Sequence, residues 1–408
     1  MKIAMFTDAY YPRINGVTVS VHSYATELVK LGHDVVVVCL EYSEEQQKNS
    51  LFDAKSGDKK SPFKIVRLPS APLWFSKEDR MMKLHKWYKI KQAMSDFEPD
   101  VIHINSEWTV GYMGALYAFY KHIPSVYTFH TMWEDYLANY VTFLPPAMLH
   151  KIGRDVVKFY LKKADEIIAP TNMIAKVAEH YGIEKPIDIL PTGIPDSKCV
   201  ANAGRLKKMN SALLKKFPQL KGKRILLYAG RVVKEKNLLF LYDVLEKVKK
   251  ECPKTALLFV GNGIYEDELK EIATERGLTD SVAFTGYIPS DDMVYFYKMA
   301  SVFAFPSKTE TQGLVTIEAM LSGLPVVAIG EMGTVNVMQG DNGGFMVKED
   351  VEEFSARVTE LLKDRKLLEQ KSKEAVLWAQ KWKISNLTPQ LVKNYENAIK
   401  TCARKRQK

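Results

Sequence analysis

No apolar run in this 408-residue chain approaches the ~18 residues that a membrane-spanning helix needs. The opening stretch Met1–Tyr11 meets Asp8 before a secretory apolar region can develop, so the chain is expected to be cytoplasmic. Cysteine is scarce: Cys39, Cys199, Cys252 and Cys402 stand apart, with no Cys-x-x-Cys and no Cys/His cluster, which argues against structural zinc and a disulfide framework. Gly-x-Gly-x-x-Gly and Gly-x4-Gly-Lys-Ser/Thr are both missing, which weakens dehydrogenase and P-loop kinase readings. Short-period repeats and long biased segments are missing too, so a folded globular chain is expected.

What is present fits two α/β domains, since a domain usually takes roughly 100–200 residues. Hydrophobic residues make up 46% and charged residues 26%, and the net charge is +10, compatible with nucleic acid, anionic lipid or a polyanionic substrate. Placement has to decide among these. One basic concentration, Lys77, Arg80, Lys83, Lys86, Lys89 and Lys91, is interleaved with aromatic residues; a second, Arg404, Lys405, Arg406 and Lys408, ends the chain and reads as a solvated face.

Short β-branched runs alternate with amphipathic stretches. In the first half the runs are Ile3–Thr7, Asp34–Leu40, Lys64–Leu68, Val101–Ile104, Ser125–His130, Glu166–Pro170 and Ile187–Leu190; in the second, Arg224–Ala229, Ala256–Gly261, Val282–Thr285, Val302–Pro306, Pro325–Ile329 and Phe345–Val347. Strands separated by helix-length segments imply parallel sheets with crossover helices. Val17, Val21, Tyr24, Leu28 and Leu31 share one helical face, closed by Gly32. The expected domains are 1–195 and 196–380, followed at 381–408 by a helix, centred on Pro389–Ala403, that either crosses back to the first domain or caps the second.

Open parallel sheets bind ligands at the carboxyl ends of their strands, so the residues just after each strand carry the most information. Asn15-Gly16 follows the first strand and opens a helix, where free N–H groups favour anions. After the first strand of the second half, Arg231 and Lys236 offer a planar fork and a point charge suited to a diphosphate. Then comes Ser307-Lys308-Thr309-Glu310-Thr311-Gln312-Gly313-Leu314-Val315-Thr316-Ile317-Glu318, which reads as loop then helix. Gly313, Leu314 and Val315 would turn unpaired N–H groups toward an anion, and each glutamate can accept hydrogen bonds from two neighbouring hydroxyls.

Glu310 and Glu318 together resemble the Glu-x7-Glu motif of glycosyltransferase family 4. The Gly16 loop, His130, Pro191-Thr192-Gly193-Ile194 and Gly323-Leu324-Pro325-Val326-Val327 agree with it in order. The resemblance runs from Phe6 to about Val347 and implies the GT-B architecture, two Rossmann-like doubly wound parallel-sheet domains facing across a cleft. It implies a nucleotide sugar as donor substrate, with no cofactor and no metal, in keeping with the absence of Asp-x-Asp. By the same resemblance Glu310 would hold the donor sugar, Gly313–Val315 would supply backbone contacts, Glu318 would bind ribose, and Arg231 with Lys236 would hold the diphosphate. His130 would face the transferred sugar and acceptor. Thr311-Gln312 departs from the glycine or aromatic residue that many members carry before Gly313.

His130 is followed by Thr131-Met132-Trp133-Glu134-Asp135-Tyr136, similar to a stretch in the subset of the family that glycosylates diacylglycerol. That implies a retaining transfer of a hexose, glucose from UDP-glucose, to a lipid at an anionic membrane surface, with the enzyme peripheral on the inner face of the cell membrane. The expected membrane contacts are Trp74 and Phe75, followed by Arg80, Lys83, Lys86, Trp87 and Lys89 on a helix from Ser76 to Phe97 in which Met81, Leu84 and Tyr88 share a face. A soluble or polyprenyl-linked acceptor, or a nucleotide-sugar epimerase of the same fold, remains open. Nucleic-acid binding lacks any reading motif, and no obligate protein partner is evident.

Overall fold

The computed structural model describes residues 1–43, 58, 60–73, 76–130, 145–310 and 312–407. The chain forms two compact units, Met1–Gly193 with Ile384–Lys408, and Ile194–Lys383. The divisions thus fall near, but not at, residues 195 and 380.

The strands of the first unit are β1 (Lys2–Phe6), β2 (Asp34–Leu40), β3 (Lys64–Leu68), β4 (Ser70–Leu73), β5 (Ser76–Met82), β6 (Val101–Ile104), β7 (Ser125–Thr128), β8 (Glu166–Ala169) and β9 (Ile187–Ile189). Seven of them make a parallel sheet in the order β3-β2-β1-β6-β7-β8-β9. The run Val35–Leu40 of β2 is buried throughout, as a strand covered on both faces must be. One face of the sheet packs Ala4, Phe6, Ile102 and Tyr127 into one core cluster; the other packs Ile3, Met5, Val101 and Val126 into a second.

The C-terminal helix Ile384–Arg406 belongs to that second face. Ile384, Leu387, Leu391, Tyr395 and Ala398 recur at helical spacing and are buried against the sheet. A polar clasp fixes its register. His103 on β6 meets the Tyr395 hydroxyl through Nδ1 at 2.8 Å and Thr128 Oγ1 through Nε2 at 2.7 Å.

The expected helix beginning at Ser76 does not form. Residues Ser76–Met82 are instead strand β5, paired antiparallel with β4, and the helix starts only at Tyr88 and runs to Phe97. Met81 therefore shares no helical face with Leu84 and Tyr88. The buried side chains here are Met82, Ile90, Ala93 and Met94. β5 is held by its ladder with β4, in which Met82, Met81 and Arg80 face Ser70, Ala71 and Pro72, and the Met82 amide adds a bond to Thr109 Oγ1 at 2.9 Å; tertiary pairing overrides the helical spacing of a few apolar residues.

The second unit carries β10 (Arg224–Ala229), β11 (Thr255–Val260), β12 (Val282–Phe284), β13 (Val302–Phe305), β14 (Val326–Ile329) and β15 (Gly344–Val347), parallel in the order β12-β11-β10-β13-β14-β15. Its core is one cluster built on Leu226, Leu258, Phe303 and Val327. Each sheet reverses its strand order once, between β1 and β6 and between β10 and β13. At those switch points the following loops diverge and leave a crevice.

Candidate active site

In the second unit both motifs singled out in the sequence lie at the β10/β13 switch point. The chain leaving β10 turns at Gly230, held at φ +148°. Gly261, after β11, packs against it so closely that a Cβ there would lie 1.9 Å from the Gly230 carbonyl oxygen. That pins the path of the loop carrying Arg231, Val232 and Lys236, and the Gly-Asn-Gly at 261–263 was its unread sequence signal.

Lys236 is 7% exposed. Its ammonium donates to Glu310 Oε1 at 2.7 Å and to Thr309 Oγ1 at 3.1 Å, and the Ser307 hydroxyl adds a longer contact to the same carboxylate oxygen at 3.4 Å. Two residues 74 apart in sequence thus form one ion pair because they follow adjacent strands. Arg231 behaves differently. Its side chain is 70% exposed and bridges to Glu235 at 2.5 Å, so the structure does not join it to Lys236.

Gly313 caps the helix Leu314–Leu321 at φ +71°, a left-handed conformation that glycine adopts without steric cost. The N–H groups of Leu314 and Val315, in the first turn, have no intrahelical acceptors and stand at the positive end of the helix. Glu318, one turn on, is half-buried and accepts a hydrogen bond from the Tyr297 hydroxyl at 3.0 Å. Burial raises its carboxyl above the usual range, and Lys198 opposes the shift. Thr311 lies outside the described residues.

The first unit offers a second polar cluster at the β1/β6 switch point. Asp8 accepts from Ser106 Oγ at 2.6 Å, Thr109 Oγ1 at 2.8 Å, Val110 N at 2.8 Å and Gly111 N at 3.1 Å. It thereby ties β1 to the start of the helix Thr109–Lys121, and burial outweighs these bonds to raise its carboxyl. Glu107 is also buried and accepts from the Tyr127 hydroxyl at 2.5 Å. Neither carboxylate belongs to a motif; an acidic residue just past a strand was the available signal.

His130 lies just beyond β7. Burial lowers its ring to about 4, so it is neutral near pH 7, and its Nε2 is buried with no hydrogen-bond partner among the described residues. A buried polar atom left unpaired is costly, which makes it a candidate to bind a ligand. Asn15 caps the helix Gly16–Lys30 by accepting from Thr18 N at 2.9 Å, and a Cβ on Gly16 would meet nothing within 4 Å.

Among the expected membrane contacts, Trp74 and Phe75 lie outside the described residues, as does 131–136. Arg80 is engaged by Ser70 through Nε at 2.6 Å. Lys83, Leu84, Trp87 and Tyr88 are exposed, and Lys86 and Lys89 are partly so. The described residues contain no helix long and apolar enough to cross a membrane.

Residues 14–198 match Glycosyltransferase Family 4, and residues 210–378 match Glycosyl transferases group 1. The alpha-monoglucosyldiacylglycerol synthase of Streptococcus pneumoniae is 31% identical over 334 residues, covering 81% of this chain and 71% of that protein. The protein of the same name from Acholeplasma laidlawii is 27% identical, covering 86% of both chains. Among solved structures, Anabaena HepE in complex with UDP superposes with a TM-score of 0.74 at 17% identity, covering 97% of this chain and all of that one. The matches span both units and the likeness in fold spans the GT-B architecture: the chain belongs to glycosyltransferase family 4.

Proposed function

We propose that this chain is a metal-independent hexosyltransferase that moves glucose from UDP-glucose to the free hydroxyl of 1,2-diacylglycerol with retention at the anomeric carbon. The observation that carries this reading is the buried Lys236 ammonium held against Glu310 at the β10/β13 switch point. A cation fixed there stabilises the charge that grows on a departing nucleoside diphosphate, without a metal ion. Support for the lipid acceptor and for glucose comes from the names of the two synthases; HepE has been solved with UDP-glucose.

In this reading the second unit holds the donor. Lys236 and Arg231 contact the diphosphate, the N–H groups of Gly313, Leu314 and Val315 complement its charge, Glu310 accepts from the hexose hydroxyls and Glu318 from the ribose. The first unit serves the acceptor and the membrane, with the neutral His130 hydrogen-bonding the transferred sugar through Nε2. The acceptor oxygen bonds to the anomeric carbon as the carbon–phosphate-oxygen bond breaks, and the departing phosphate oxygen takes the hydroxyl proton. No side chain forms a covalent intermediate; the residues position the reactants and stabilise positive charge on the sugar.

The test is to incubate the protein with labelled UDP-glucose, UDP-galactose or GDP-mannose and diacylglycerol in mixed micelles, with and without EDTA. An α-linked glucosyl lipid formed equally in both conditions is expected. Donor turnover without acceptor, transfer confined to a water-soluble sugar, or rescue of a chelated inactive enzyme by Mg²⁺ or Mn²⁺ would reject the reading.

A further inference from the structure

Three helix C-termini converge in the first unit, those of Thr109–Lys121, Pro146–Lys163 and Ile384–Arg406, around a cavity of about 720 Å³. Its inner wall is apolar, with Ala115, Ala118, Ile123 and Ala164. Five cations line it, Lys121, Lys162, Lys163, Lys405 and Arg406, against one carboxylate, Asp165. Three helix ends supply roughly half a negative charge each, which together with Asp165 leaves the cavity positive.

The carboxylate is already engaged. Asp165 takes the Lys405 ammonium at 2.7 Å and accepts from the Ser125 amide at 2.9 Å. The Lys163 ammonium lies 4.7 Å above the Phe119 ring, which brings charge to the cavity but no counter-ion. Lys185, bonded to the last carbonyls of the helix Pro146–Lys163, is lowered by burial and then by the charge of Lys405. An excess of positive charge beside an apolar wall selects one kind of occupant.

We infer that this cavity is a binding site for an anionic amphiphile, whose phosphate or carboxylate head sits among Lys162, Lys163 and Arg406 while its alkyl chain runs along Phe119 and Ile123, over the floor built by the buried Ala115, Ala118 and Ala164. The site is separate from the candidate active site. Ser125 opens β7 and His130 lies beyond its far end, five residues or roughly 16 Å of extended chain away. An occupant would brace the end of the C-terminal helix, where Arg406 already donates to the His122 carbonyl.

Calorimetric titration of the full chain with dodecyl phosphate below its micelle concentration tests this. One binding site is expected, with inorganic phosphate and dodecyl maltoside each at least tenfold weaker. Lys163→Ala combined with Arg406→Ala should weaken dodecyl phosphate at least tenfold, and Ala118→Phe should do the same by filling the wall without changing charge. Should Ala118→Phe melt below the wild type, slowed alkylation of Cys402 in the presence of dodecyl phosphate reads occupancy of the same cavity without any substitution there. Equal binding of dodecyl maltoside, equal binding of inorganic phosphate, unchanged affinity in the charge variant or unprotected Cys402 would each overturn the assignment.

Discussion

The Lys236 ammonium gives up most of its water on folding and regains partners in Glu310 and Thr309, so its charge is fixed in place before any ligand arrives. Removing either member of the pair should cost transfer about 10²–10³-fold, the range seen when one preorganised charge-stabilising group is lost. We expect Lys236→Ala and Glu310→Ala to show that loss in initial rates while their melting temperatures stay within a few degrees of wild type, because the Glu310 side chain keeps partial access to water. A collapse in melting temperature in both would mark the pair as structural. His103 illustrates the opposite case, a titratable residue whose partners are all structural. Burial lowers it to about 3, below the ordinary value near 6.5, so below pH 6.5 the unfolded chain binds a proton that the folded chain does not. Stability is therefore whole above pH 6.5 and is lost as pH falls toward 3. Urea titrations should show wild-type stability falling below pH 6 more steeply than that of His103→Gln, by up to about 1.4 kcal/mol per pH unit. Parallel curves would mean that His103 is not held neutral.

Among the elements, β5 was the one most misread from sequence. Its residues Ser76–Met82 have little strand preference, and Met81, Leu84 and Tyr88 imitate one helical face; Met82 and Ile90, which violate that face, are the ones the core takes. The C-terminal helix shows a milder form of the same error. Pro389 suggests a helix start, yet five residues precede it inside the helix and Ile384 is already buried. The correction at β5 changes the membrane proposal without removing it. Leu84, Trp87 and Tyr88, with Lys83 beside them, still form an exposed aromatic and basic cluster at the start of the helix Tyr88–Phe97. Each basic residue near anionic lipid contributes about 1 kcal/mol, so exchanging Lys83, Lys86 and Lys89 for Glu should weaken binding to anionic vesicles by roughly two orders of magnitude or more. Lipid glycosylation should fall with it, and donor affinity should stay as in wild type. Sedimentation with vesicles measures the first, and undiminished sedimentation would move the membrane contact elsewhere.

For the whole molecule, the last residues complete the first unit. Ile384, Leu387, Leu391, Tyr395 and Ala398 cover a face of the parallel sheet, and burying the larger of these contributes about 1.5–3 kcal/mol each, a sum comparable with the 5–15 kcal/mol that holds a typical domain. A chain ending at Lys383 is expected to be insoluble or to lose the first unit's cooperative unfolding in circular dichroism. A soluble truncated protein that melts like the wild type would refute this. The sequence by itself determined the family and the strands of both parallel sheets, because β-branched runs and the Glu310, Glu318, Arg231 and Lys236 motifs are local patterns that need no knowledge of what lies opposite. Tertiary structure alone decided which charges meet. Lys236 pairs with Glu310 across 74 residues and His103 with Tyr395 across 292, because both contacts depend on strand order and helix docking, which local periodicity does not encode.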